Sequence, residues 1–276
     1  MTINADKKTV ESFGEEWARF TQSQGKEHDL EMIFLNYFEI FPWDKISNNS
    51  VGFDMGCGSG RWAKFVSNKV KSLYCIDPSL EALEVAKNNL KDTKNCIFEH
   101  ASANEFSMDD KTMDFGYCLG VLHHVPDTQS ALNHCCRKLK KEAPFLLYLY
   151  YDLENRNILF RFIWKISDLF RRIISILPFT VKKIVCDSIA LFVYFPIART
   201  SKYIERMGFK VSGVPLSFYK DKSFYVMRTD SLDRMGTRIE KRYSKSQIRD
   251  MMEKAGLENI TFHDSEPFWI SLGFKR

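Results

Sequence analysis

Ten residues, VGFDMGCGSG at 51–60, constrain this chain more than any others. They put a carboxylate, Asp54, at the end of an apolar strand, then a turn built on Gly56, Gly58 and Gly60 that runs into a helix. Glycines serve there because the backbone must adopt positive φ and approach a ligand closely. The N-terminus of the following helix can hold an anion. Twenty-one residues beyond Gly56, Asp77 ends a second strand, with Pro78 after it. A carboxylate so placed can accept two hydrogen bonds from a ribose diol.

Strand patterns at 51–54, 72–76, 95–99, 113–119 and 143–150 alternate with helical ones at 61–67, 79–90 and 127–139. That alternation predicts a parallel sheet covered by helices on both faces. A further helix is expected at 27–41, before Pro42. The alternation stops after the fifth strand and resumes with a helix at 244–255, closed by Gly256. Two last strands, 258–263 and 268–274, flank Asp264, Ser265, Glu266 and Pro267, a connection short enough for an antiparallel hairpin.

Spacing separates two cofactor classes. The dinucleotide fingerprint needs a glycine or alanine three residues after Gly58, where this chain has Arg61. G-x-G-x-G with an acid two residues earlier instead resembles class I S-adenosylmethionine-dependent methyltransferases, over 51–150 and the C-terminal helix and hairpin. The resemblance implies an α/β fold: a doubly wound, mostly parallel seven-stranded sheet with an antiparallel last strand, plus a helical insertion. It implies S-adenosyl-L-methionine as cofactor, held by Asp54, Gly56, Cys57, Gly58, Gly60, Asp77 and Pro78. Where the family usually has an acid for the adenine amino group, this chain has Ser102 and Ala103, a neutral and weaker acceptor. The segment DFGYCLGVLHHVPD at 114–127 resembles the small-molecule branch, including quinone-biosynthesis enzymes, and places Leu119, Gly120 and Val121 beside the methionine moiety. FGEEW at 13–17 resembles a segment of bacterial sugar and natural-product methyltransferases, which implies that Trp17 folds over the cofactor. An ordinary amphipathic helix fits the same residues.

Methyl transfer from a sulfonium needs alignment and exclusion of water, and a base only when the nucleophile holds its proton tightly. His123 and His124 follow the fourth strand, at the carboxyl edge where ligands bind such sheets. Either is a candidate base, or both support the loop. Tyr150 and Tyr151 leave the fifth strand at that edge and could wall an acceptor site, and Arg238 could meet an anionic acceptor. His28, His100, His134 and His263 fall on elements read as remote from it. No cluster has metal-ligand spacing, and seven cysteines without a C-x-x-C pair argue against a disulfide framework. The first ten residues read as no signal peptide, so a cytoplasmic protein is expected.

Between positions 152 and 208 Lys and Arg outnumber Asp and Glu by five, which equals the net charge of the whole chain. Helices at 157–177 and 181–194, the second ended by Pro196, carry a narrow basic stripe and a broad apolar remainder. They can close over an acceptor, or the stretch 157–195 can touch a membrane surface. No run is long enough to span one, and the balanced remainder of the chain argues against a nucleic-acid partner. The organisation expected is a helical cap at 1–45, a cofactor core at 46–152, a helical lid at 153–243 and a completing helix and hairpin at 244–276. The expected activity is methylation of a small molecule such as a sugar or lipid-linked compound, oxygen being the favoured atom. A non-catalytic cofactor-binding or membrane-surface protein and an NAD(P)-dependent oxidoreductase are the rivals. The sequence does not specify an oligomeric state.

Overall fold

The computed structural model describes residues 4–19, 27–211 and 213–276. In chain order the elements are α1 (Lys7–Arg19), α2 (Glu27–Tyr37), β1 (Val51–Met55), α3 (Ala63–Val66), β2 (Ser72–Asp77), α4 (Leu80–Asn89), β3 (Cys96–His100), β4 (Phe115–Leu119), α5 (Thr128–Lys138) and β5 (Pro144–Tyr148). Helices α6 (Ile158–Ser175), α7 (Phe179–Ile189), α8 (Phe195–Arg206) and α9 (Phe224–Gly236) follow, then α10 (Lys245–Lys254), β6 (Leu257–Phe262) and β7 (Ile270–Lys275). The chain divides into two compact units, Met1–Asp152 with Ile239–Arg276, and Leu153–Arg238.

The first unit is built on a seven-stranded sheet in the order β3-β2-β1-β4-β5-β7-β6. β1 to β5 pair in parallel, and β7 runs antiparallel to both of its neighbours. This is the Rossmann-like class I arrangement. Side chains alternate across it to make two cores. Phe53, Met55, Phe145 and Leu147 face Leu132 of α5 and Ile248 and Met252 of α10. Phe115, Tyr117 and Leu146 face Phe34 of α2, Trp62, Ala63 of α3 and Leu83 of α4. Helix starts follow local chemistry. Ser79, Asp127 and Ser244 each accept a backbone N–H at their helix N-terminus, and Ser244 completes a capping box with Gln247. Gly256 takes positive φ just past α10.

At the centre of the sheet two glycines make room for two phenylalanines. Gly52 pairs in register with Phe115, and Gly116 with Phe53. A Cβ on Gly52 would stand 2.3 Å from the Phe115 ring, and one on Gly116 would stand 2.4 Å from that of Phe53.

The second unit is helical and joined largely by polar contacts. α6 and α7 both pack against α9. Buried Arg171 donates to the Thr237 carbonyl at 2.7 Å and to Asp168 at 2.7 Å, while buried Lys182 donates to the Gly236 carbonyl at 3.0 Å. Two cations thus satisfy the carbonyl end of α9, where the helix dipole favours them. Asp187 joins Lys183 of α7 to Arg228 of α9. The apolar core here is small, centred on Tyr194, Ala198, Tyr219 and Met227.

One expectation is corrected. Pro196 does not end a helix: residues 190–194 form a π turn and the chain continues through Pro196 into α8, the widened turn accommodating the proline ring. Within the helical insertion, Ser223 also caps α9, which extends to Gly236 and which the sequence reading did not place. Polar residues obscured that helix because its neighbours are bound through them.

Gly116→Ala is expected to lower stability by about 1–3 kcal/mol, the cost of overpacking a filled core, with an unchanged slope in urea unfolding. Phe53→Leu in the same chain should recover part of the loss.

Candidate active site

At the carboxyl edge the glycine turn is fastened to the second strand. The N–H groups of Gly56 and Cys57 both donate to the Ile76 carbonyl, at 2.8 and 3.0 Å. Each oxygen of Asp77 accepts one further backbone N–H, from Gly58 and from Ser79, both at 2.9 Å. All three turn glycines have positive φ. A Cβ on Gly56 would collide with Val121 at 2.3 Å, so sterics and backbone conformation both demand glycine there.

Asp54 is buried, and its Oδ2 has no hydrogen-bond partner among the described residues. Burial above all, and the charge of Asp77, push its carboxyl up to about 8 against the pull of the Tyr117 hydroxyl. Burial raises Asp77 to about 6, opposed by its two backbone donors and by His100. The Ser59 hydroxyl in the same turn is also buried without a hydrogen-bond partner among the described residues. Such orphaned acceptors are costly unless a ligand supplies donors. The Cys57 thiol is neutral: a hydrogen bond with Cys75 lowers its pKa, but burial and the two aspartates lift it to about 11.

Around this turn stand the other residues singled out by the sequence. Ser102 is buried and donates its hydroxyl proton to Glu105 at 2.8 Å, which leaves its oxygen lone pairs for an incoming donor. Ala103 is buried beside it, and Leu119 ends β4 in the opposite core. Val121 packs against the first core. Gly120 has positive φ, and a Cβ there would meet nothing within 4 Å, so this backbone borders open space. His100 lies at this edge, not remote from it, with Nε2 2.9 Å from the Pro78 carbonyl oxygen.

His123 and His124 are distinguished by their surroundings. His123 is fully buried, its ring stacked on that of Tyr150 at 3.9 Å, and neither ring nitrogen has a hydrogen-bond partner among the described residues. Burial, with the positive field of His124 and Arg242, holds its pKa well below the usual histidine range. His124 has Nδ1 at 2.6 Å from the Ile239 carbonyl oxygen. A carbonyl can only accept, so Nδ1 carries the proton and Nε2 keeps the lone pair in the neutral ring.

Chain order does not foretell who joins these histidines. Residues 239–243 return to the first unit beside β5: Tyr243 N–H donates to the Tyr150 carbonyl, and Asp152 N–H to that of Tyr243. Tyr151 and Tyr243 form a β-bridge there. The returning segment brings Arg242, whose guanidinium lies over the Tyr150 ring at 5.3 Å and pairs with buried Glu240 at 2.7 Å. The Oε2 of Glu240 has no hydrogen-bond partner among the described residues. Glu240 was not legible in the sequence, since nothing local marks a charge buried by a distant strand end. Tyr151 packs with Phe268 and Trp269, and Arg238 is exposed and belongs to the helical unit.

An N-terminal segment lies along this edge. Asn4 bonds to Asn104 and to the backbone of Asp127, each at 2.7 Å. Asp6 caps α1, the Phe13 ring stands 5.0 Å from that of His124, and a Cβ on Gly14 would come within 2.6 Å of the Ser79 hydroxyl. The Trp17 and His28 side chains lie outside the described residues. No group of metal-ligating side chains occurs among the described residues.

A family described as "Methyltransferase domain" matches residues 53–147. The ubiquinone biosynthesis O-methyltransferase of Vibrio parahaemolyticus is 27% identical over 165 residues, covering 56% of this chain and 66% of that protein. Its counterpart from Nitrosomonas europaea is 28% identical over 160 residues, with the same coverage. The chain therefore spans just under two thirds of the length of these relatives. A SAM-dependent methyltransferase of Thermotoga maritima superposes with a TM-score of 0.50 at 15% identity, covering 96% of this chain and all of that one.

His123 is expected to stay neutral throughout pH 5–8, read by the nitrogen shifts of its imidazole. Its folded pKa is depressed, so the unfolded chain takes up the proton first. The residue therefore lowers stability as pH falls below about 6.5, its ordinary value. His123→Phe should flatten the stability profile there.

Proposed function

We infer that this chain, which carries a methyltransferase domain on the class I fold, transfers a methyl group from S-adenosyl-L-methionine to a small-molecule acceptor. The observation that carries the reading is the pair of buried carboxylates at the glycine turn. Asp54 keeps an oxygen without a donor, and Asp77 holds the turn in shape while each of its oxygens retains a lone pair. These groups suit a cation bearing a ribose diol. Bound there, the cofactor would supply a methyl group already activated on a positive sulfur.

The protein's own residues then have four tasks. Asp77 accepts from the ribose hydroxyls, and Asp54 receives the ammonium of the amino-acid end. Ser102, its proton committed to Glu105, accepts from the adenine amino group. Leu119, Gly120 and Val121 border the methionine side, while α1, with Phe13 and Trp17, excludes water. His124 takes a proton through Nε2, its orientation fixed by the Ile239 carbonyl; we assign His123 to packing against Tyr150. A base of this kind is needed for an oxygen nucleophile, and oxygen is also the target named for the ubiquinone biosynthesis O-methyltransferases. Tyr150 and Tyr151 are assigned to the acceptor, and Glu240 and Arg242 join them. The insertion at 153–243 is assigned acceptor recognition, with a sugar or lipid-linked compound as the substrate class. Arg61 in place of the third dinucleotide glycine and the antiparallel β7 weigh against a nicotinamide cofactor.

Titration calorimetry should show cofactor affinity rising with pH. The folded carboxyls sit at about 8 and about 6, above their unfolded values, so without ligand they hold protons in this window. A cation prefers them ionised, so binding releases protons and tightens through about pH 6 to 8 before levelling. Asp54→Asn should remove the upper part of that slope, and Asp77→Asn should weaken binding at least about tenfold. His124→Ala is expected to lower kcat about 10²–10⁴-fold while leaving cofactor Kd within twofold. Equal turnover would remove His124 as base.

A further inference from the structure

We propose that α6 is a docking surface for an anionic lipid bilayer. The proposal rests on the helical unit alone and holds whether or not the chain transfers methyl groups.

The argument starts from which way the helix faces. At about 100° per residue, α6 resolves into three sectors. Asp168, Arg171 and Ser175 turn inward with Ile174, and Arg171 bonds to Asp168 and to the end of α9. Leu159, Phe162, Ile166, Leu169, Phe170 and Ile173 occupy a sector roughly 120° wide that faces outward, and Phe162, Leu169 and Phe170 are 59, 62 and 58% exposed. Arg161, Lys165 and Arg172 form the third sector, exposed along one border of the apolar face. The amphipathicity is thus inverted: polar groups bind the body of the unit and apolar groups meet solvent. An exposed apolar face of this extent needs a cover.

Charge identifies the cover. The outward sectors of α6 carry three cations and no acid; Arg172 pairs with the inward-turned Asp168 at 2.9 Å, and Arg161 and Lys165 stand exposed beside the apolar face. Across Leu153–Arg238 there are sixteen Lys and Arg against seven Asp and Glu, an excess of nine positive charges, while the whole chain carries +5. The other unit is therefore net negative, and the excess is concentrated in the unit that bears the apolar face. A second copy meeting the first through this face would bring basic stripes together. A leaflet rich in anionic headgroups matches both features, since cations at the headgroup level attract such lipids and apolar side chains enter the acyl boundary. No helix among the described residues is long and apolar enough to cross a membrane, so the helix would lie in the interface.

The test is co-sedimentation of the full chain with vesicles of phosphatidylglycerol and phosphatidylcholine, and of phosphatidylcholine alone. Binding to the mixed vesicles at least tenfold tighter than to the neutral ones, and weakened by salt, is expected. Leu159→Gln with Phe162→Gln and Phe170→Gln should reduce it at least tenfold with an unchanged melting temperature, because these side chains support no core. Arg161→Glu with Lys165→Glu should erase the preference for phosphatidylglycerol. Absence of sedimentation with both vesicles would overturn the proposal. So would a dimer in sedimentation velocity that the glutamine variant converts to monomer while vesicle binding stays unaffected.

Discussion

Two peptide N–H groups, those of Gly58 and Ser79, converge on the carboxylate of Asp77, and the geometry of the carboxyl edge follows from that convergence. It locks the turn after β1 to the start of α4, and Ser79 passes the constraint on by capping that helix. Burying a carboxylate is costly, and the residual cost is visible in the raised pKa values of Asp77 and its neighbour Asp54. An edge of this kind is stable as a scaffold yet electrostatically incomplete, which is the condition under which a cationic ligand gains most.

Much of this was legible in the chain because the relevant signals are local. The glycine turn, Asp54 and Asp77 lie within a few residues of a strand end, and alternating apolar stretches specify β1 to β5. The final hairpin announced itself through a short polar connection and the Gly256 stop. What escaped is long-range. Glu240 and Arg242 reach the edge only because the chain returns beside β5, and no periodicity encodes that return. The same holds for Asn4, whose partners lie a hundred or more positions away in sequence. α9 and the helical course through Pro196 were missed where polar contacts and a π turn replaced the expected apolar pattern and stop signal.

The two histidines illustrate how environment separates like residues. They are adjacent in sequence and share a short helical turn, yet one is sealed against Tyr150 without polar partners and the other is oriented by a carbonyl. A carbonyl partner fixes one tautomer, whereas stacking asks only for a flat ring of suitable size. Their order along the strand end decides which ring meets which neighbour.

The β-bridge between Tyr151 and Tyr243 has a separate evolutionary consequence. It ties the two ends of the insertion side by side on the sheet-bearing unit, so the intervening residues form a closed excursion from a fixed stem. Length and composition can drift within such an excursion without shifting strand register. Such a stem lets the excursion be exchanged as one piece while the pairing of β5 with its neighbours is left as it stands.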